Sequence, residues 1–355
     1  MTSHTREVLE FFRIAEIIAG YCKSEQARER CLQKQPMQDA AEIAAAKELG
    51  RDILRFLQAD EPLPIKTIPP LDSVIKQLHT DGVCLTIEEL YAAGLLALQV
   101  GELKDWAVKR KQAESAAYTL IESIPPLPQT EQAVFSFIDK NGALQDIPAL
   151  TVIQKKIQRI ETDIEKTMRS YCTDESTKGM LQTPAPVLRN GRQVIAVRSN
   201  FKGRIKGIIH EYSQSGQSFY LEPESIVLRN NELMRAQAEY EQELHRLLLN
   251  ISIQIAEEAE SLADAYRLVL DLDCAAAAAR WAHAENGIFV PDTSASQYFY
   301  LQAARHPLLG AAAVPIDLKL TEEERILIIT GPNTGGKTVS LKTAALFVLL
   351  NQTGW

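Results

Sequence analysis

The sequence predicts a mostly α-helical protein with a small inserted β clamp, ending in the start of an α/β domain of the phosphate-loop type. Three observations predict it: long stretches free of glycine and proline, one β-prone segment built around an Asn-Gly pair, and a glycine-rich run placed between an apolar run and a helix-compatible tail.

Residues 1–150 read as a helical domain. Val8, Phe11, Phe12, Ala15, Ile18 and Ala19 follow helical spacing, and prolines cluster at breaks, four of them from Pro62 to Pro70 and three from Pro125 to Pro128. Thr86 with Glu89 three residues on has the form of a capping box, so a helix is expected to begin there.

Two stretches without glycine or proline follow, Thr151 to Lys178 and Glu224 to Asn286. They are assigned as lever helices, 151–178 and 224–286. The second holds 63 residues and as one straight helix would reach about 95 Å, so a break is expected near Leu262. Their apolar positions need a partner, and pairing with each other gives an antiparallel two-helix stalk. Between them, 179–223 is expected to form the clamp. Asn190-Gly191 between β-prone flanks signals a hairpin, and further strands are expected over Phe201 to Ile209 and Gln217 to Leu221, with Gly216 in the turn.

The last region, 290–355, carries Gly331-Pro332-Asn333-Thr334-Gly335-Gly336-Lys337-Thr338. Glycine followed by four residues, then glycine, lysine and a hydroxyl residue, is the spacing that wraps backbone N–H groups around phosphate oxygens at a helix start. Lys337 is placed to reach the β and γ phosphates and Thr338 to ligate magnesium, which implies ATP with Mg as the bound pair. Ile326 to Thr330 reads as a buried parallel strand and Val339 to Leu350 as the following helix. Only 17 residues follow Thr338, too few for the acidic strand that completes such a site, so the chain is expected to be the N-terminal portion of a larger protein, with no catalytic residue of its own.

The chain has 355 residues, 46% hydrophobic and 24% charged, an ordinary globular composition. Its apolar runs are too short to span a bilayer, no export signal is evident, and five scattered cysteines fit a reduced cytoplasmic protein without a membrane partner. The net charge of −8 hides an opposite local sign. From Ser176 to His210 there are seven basic residues (Lys178, Arg189, Arg192, Arg198, Lys202, Arg204, Lys206) and no acidic one. In a strand, Lys202, Arg204 and Lys206 would share one face, about 7 Å apart, and Phe201, Ile205 and Ile209 the other. That row suits the phosphates of a nucleic acid through Arg189, Arg192, Arg198, Lys202, Arg204 and Lys206. The competing reading is a solvated sheet face. No aromatic beyond Phe201 interleaves these cations, so stacking on bases is not expected.

The glycine-rich run preceded by Leu327-Ile-Ile-Thr330, with Ala304-Arg305-His306-Pro307-Leu308 upstream, resembles the ATPase entry of the MutS family. Val187-Leu-Arg-Asn-Gly-Arg192, Gly203-Arg-Ile-Lys-Gly-Ile-Ile-His210, Ser215-Gly-Gln217 and Leu221-Glu-Pro-Glu224 look like its MutS-two subfamily. The resemblance implies a helical core, lever helices and clamp ahead of an ATPase domain. It further implies an ATP hydrolase as the parent protein, acting as a homodimer and in this subfamily ending in a nuclease-like Smr domain. It also implies a nucleic-acid partner, branched or recombination-intermediate DNA or the ribosomal RNA of stalled ribosomes, with suppression of recombination or ribosome rescue as the outcome. Arg305-His306-Pro307 is carried over as a structural motif, His306 as a packing residue. Two other functions stay open: a mismatch-repair sensor ATPase, and a non-hydrolysing nucleic-acid-binding fragment.

Overall fold

The computed structural model describes residues 3–80, 82–110, 115–291, 299–331 and 336–355. In chain order its helices are α1 (Ser3–Val8), α2 (Phe11–Ala19), α3 (Glu25–Gln33), α4 (Ala40–Gln58), α5 (Asp72–Leu78), α6 (Ile87–Lys109), α7 (Ala116–Ser123), α8 (Pro128–Phe135), α9 (Pro148–Thr173), α10 (Glu224–Ala256), α11 (Ala259–Ala284) and α12 (Lys337–Thr353). The strands are β1 (Val187–Arg189), β2 (Arg192–Arg198), β3 (Gly207–Tyr212), β4 (Ser218–Pro223), β5 (Phe299–Ala304) and β6 (Ile316–Leu320). The chain divides into two compact units, one made of Met1–Asp81, Glu88–Phe135 and Gln254–Trp355, the other of Gly82–Ile87 and Ser136–Ile253. No described helix is long and apolar enough to cross a membrane.

The first unit is built around α11, which packs on α2, α3 and α4. Its run Ala276 to Ala279 is buried, and such small side chains let helices approach closely. The charge of Asp273, sealed in this packing, is satisfied. The Asp273 carboxylate accepts from the backbone N–H groups of Lys23 (2.8 Å) and Ser24 (3.0 Å) at the start of α3, and from Arg280 (3.3 Å). Helix starts elsewhere follow the same logic: the Asp39 side chain accepts from Ala41 and Glu42 ahead of α4, and α6 begins directly after Thr86, as the capping box predicts. The tail helix α12 is seated on the first helices. Lys47 donates to Asn351 (2.9 Å), Met37 N–H to the Gln352 carbonyl (2.8 Å), and the Trp355 ring stacks on Phe11 at 5.5 Å.

The long glycine-free stretch breaks earlier than its sequence suggests. α10 ends at Ala256, six residues before Leu262, and α11 starts at Ala259. The pull comes from Glu258, whose carboxylate accepts from the Thr130 N–H and hydroxyl, both at 2.8 Å, and from the Gln129 N–H at 3.3 Å, capping the first turn of α8. That requirement is tertiary and leaves no local mark.

The second unit is a stalk with a sheet. α9 and α10 run antiparallel: Tyr171 near the end of α9 meets Ser225 near the start of α10 at 3.1 Å, while Lys156 pairs with Glu239 at 2.9 Å. The four strands form an antiparallel sheet in the order β1-β2-β4-β3. Asn190 (φ 49°) and Gly191 (φ 73°) make the two-residue turn from β1 to β2, both in the left-handed region that this turn demands. Ile160, Ile164 and Met168 of α9, Ile195 and Val197 of β2, Phe219 and Leu221 of β4, and Ile226, Leu233 and Ala236 of α10 form one core.

Two expected strands do not form as read. The segment 202–206 is a turn, and β3 begins only at Gly207, because Gly203 takes a left-handed conformation (φ 81°) that ends any extended run. The alternation of Lys202, Arg204 and Lys206 along a strand is therefore corrected to a cationic turn. Ile326 to Thr330 is no strand either. Ile326 (84% exposed) and Ile328 (79%) face solvent, since among the described residues no strand lies beside it to supply ladder hydrogen bonds.

Candidate nucleic-acid interface and phosphate loop

The seven cations of the clamp segment separate into two groups. Arg192, on β2, donates to Glu222 at 2.8 Å and to Asn231 at 2.6 Å, and Arg189, on β1, pairs with Glu211 at 2.9 Å and lies 4.5 Å above the Tyr220 ring. Lys178 is paired with Glu175. These charges are compensated within the unit. The remaining four gather where β2 ends and the turn before β3 begins. Arg198, Lys202, Arg204 and Lys206 are all exposed, and the side chains of Arg198, Arg204 and Lys206 have no partner among the described residues. Phe201, Ile205 and Ile209 pack inward against the core of the unit, so the division into an apolar and a charged side survives even though the strand does not.

Glu222, on β4, is the anchor of the sheet. It is buried, with Arg192 and Asn230 (2.8 Å) on one oxygen and His210 (2.7 Å) on the other. Burial pushes its pKa up, but the hydrogen bonds from Asn230, His210 and Arg192 outweigh it and hold the carboxyl below the usual range.

Sequence reasoning missed two aromatics. Tyr220 lies under Arg189, and the Tyr212 hydroxyl accepts from Lys202 at 2.8 Å, with the ammonium 5.4 Å from the ring centroid. Both rings lie beyond the window in which basic residues are dense, and only the folded β3–β4 hairpin brings Tyr212 back to Lys202. One signal points to Tyr220: Gln217 to Leu221 reads as a strand, and a strand beside the basic segment places its side chains across from those cations.

The glycine-rich run lies in the first unit. Pro332, Asn333, Thr334 and Gly335 fall outside the described residues. Its two described ends, Gly331 and Gly336, are glycines with positive φ. Gly331 (φ 147°) and Gly336 (φ 78°) take conformations that side chains resist, and among the described residues nothing lies within 4 Å of where a Cβ would sit on either. α12 starts at Lys337, so the first N–H groups of a helix, which have no acceptor in their own helix, face the loop. The Lys337 ammonium is folded back onto the Gly331 carbonyl, and Thr338 is exposed one residue on. This donor set fits a magnesium-bound triphosphate. His306 is buried, and burial lowers its pKa, so it stays neutral as a packing residue.

No family model matches the chain. Among curated proteins it is similar to Endonuclease MutS2 of Solidesulfovibrio magneticus, 31% identical over 100% of this chain and 46% of that protein. Endonuclease MutS2 of Agathobacter rectalis is 30% identical over 100% of this chain and 45% of its own length, and that of Pediococcus pentosaceus 30% over 100% and 46%. The chain thus spans about half the length of the curated relatives it matches.

Proposed function

This chain is a relative of the MutS2 proteins along its whole length, and from that premise we propose that it grips nucleic acid as part of an ATP-controlled clamp. The supporting observation is the cationic end of the sheet. In a protein of net charge −8, Arg198 at the end of β2 and Lys202, Arg204 and Lys206 on the turn after it are all exposed, and the side chains of Arg198, Arg204 and Lys206 have no partner among the described residues. A solvated face needs no such segregation from acids, whereas a phosphate backbone rewards it.

ATP supplies the energy that distinguishes two arrangements of the clamp, and it can do so only by binding one of them better. Lys337 would hold the β and γ phosphates, Thr338 the magnesium, and Gly331 and Gly336 the close approach of backbone to phosphate, together with Pro332, Asn333, Thr334 and Gly335. The paired helices α9 and α10 carry the sheet and would transmit the change. The targets are branched DNA or the ribosomal RNA of stalled ribosomes, gripped without base reading, in a protein that works as a homodimer.

Replacing Lys202, Arg204 and Lys206 together by glutamine should weaken binding and reduce the slope of log affinity against log salt by about 0.9 for each phosphate no longer neutralised. Unchanged binding to both four-way DNA and ribosomes would end the reading. A second reading, binding without turnover by this chain alone, is favoured by the exposed run Ile326 to Ile329, which pairs with no strand among the described residues. Measurable ATP hydrolysis by the chain would overturn it.

A further inference from the structure

We propose that the cationic end of the sheet binds unpaired nucleotides by stacking a base on Tyr212, a substrate class that rests on reading this end as a nucleic-acid surface. Tyr212 closes β3 and is 53% exposed. Its ring is held in place, tilted against buried Phe219 at 6.0 Å and hydrogen-bonded through its hydroxyl to Lys202 at 2.8 Å. An aromatic fixed on one side and open on the other loses little freedom when a base lies on it.

Its surroundings match the rest of a nucleotide. Lys202 sits at the rim of the ring, where the phosphate of a stacked base would come, and Arg198 ends β2, opposite Ser218 on the far side of β4 from Tyr212. The residues 198–207 and 212–218 include no aspartate or glutamate. Asn200, Gln214 and Gln217 carry side-chain amides that have no partner among the described residues and can donate to, and accept from, base edges.

The chemistry decides between paired and unpaired targets. Inside a duplex both faces of every base are covered by neighbours, so an exposed ring adds nothing to phosphate contacts. Only an unstacked base offers its π-face. A surface made of cations alone would serve a duplex; one that adds an open ring and free amides suits a single strand, DNA or RNA.

The test measures anisotropy of labelled oligothymidylate, oligouridylate and a blunt duplex with the intact chain. Tyr212→Leu keeps apolar packing on Phe219 but removes the π-face, and is expected to lower single-strand affinity about tenfold while leaving duplex affinity and the thermal midpoint at the parent's values. Tyr212→Phe, which lacks only the hydroxyl, is expected to keep single-strand binding. Single-strand affinity unchanged in Tyr212→Leu, or lost equally in Tyr212→Phe, overturns the inference. If the triple glutamine variant loses binding while Tyr212→Leu does not, stacking alone is wrong. If the triple variant binds as the parent does, the reading beneath it fails as well.

Discussion

Arg192 reaches Glu222 across the sheet at 2.8 Å, and the carboxylate it meets is fully enclosed, 0% exposed against 22% for the arginine. With His210 on the other oxygen and Asn230 and Asn231 contributed by α10, one buried charge joins β2, β3, β4 and the helix behind them. The exposed cations proposed to meet nucleic acid are therefore mounted on a sheet whose Arg192 is neutralised internally.

Removing one partner of this pair leaves the other charge buried and uncompensated. Arg192→Ala is expected to destabilise the sheet unit by about 3–5 kcal/mol, read from denaturant unfolding. Replacing both partners by apolar residues, Arg192→Met with Glu222→Leu, should recover much of that loss. A single variant as stable as the parent would contradict the geometry.

The same carboxylate sets a pH dependence. Its folded pKa lies below the ordinary carboxylate value, so the folded state binds fewer protons than the unfolded chain in that window. Its contribution to stability is present above the ordinary value and is lost as pH falls through the lower folded one. Melting midpoints followed into acid should drop more steeply for the parent than for Glu222→Gln.

Asp273 carries comparable weight in the first unit, where it holds the N–H groups of Lys23 and Ser24 and the Arg280 guanidinium. Asp273→Ala strands the two backbone donors, while Arg280 keeps the Tyr21 carbonyl at 2.8 Å, and is expected to cost about 3 kcal/mol. Asp273→Asn, which keeps one acceptor oxygen, should cost less. Equal melting of the two variants would show that the carboxylate oxygens do not serve these donors.

Lys337→Ala is expected to abolish ATP binding, checked by titration with a fluorescent analogue. Nucleic-acid binding measured without nucleotide should be unaffected, since Lys337 belongs to a different unit from the cationic turn. Retained ATP affinity would remove the phosphate-loop assignment.

Local signals carry much of the fold. The Asn190-Gly191 turn, the glycine-free helices and the helix after Lys337 are each specified by residues adjacent in sequence, where turn chemistry and periodicity act. The missing parts depend on distant partners. Glu258 breaks the long helix because α8 needs a cap, and Ile326 to Thr330 pairs with no strand among the described residues because a strand is defined by its neighbour. Gly203 is legible as a turn former, yet the alternating cations around it imitate a strand and hide it. At the candidate interface, the basic window stops one residue before Glu211, which is the partner of Arg189, and the partner of Arg192 lies 30 positions away.

Trp355 lies face to face with Phe11, their planes 14° apart, with the Lys34 ammonium 5.6 Å from its ring and only 8% of its surface open. That makes the last residue an intrinsic optical gauge for the seating of α12. In a background where Trp106 and Trp281 are replaced by phenylalanine, its emission would redden when the helix lifts from the first helices, letting events at the glycine-rich run be followed in real time without any attached dye.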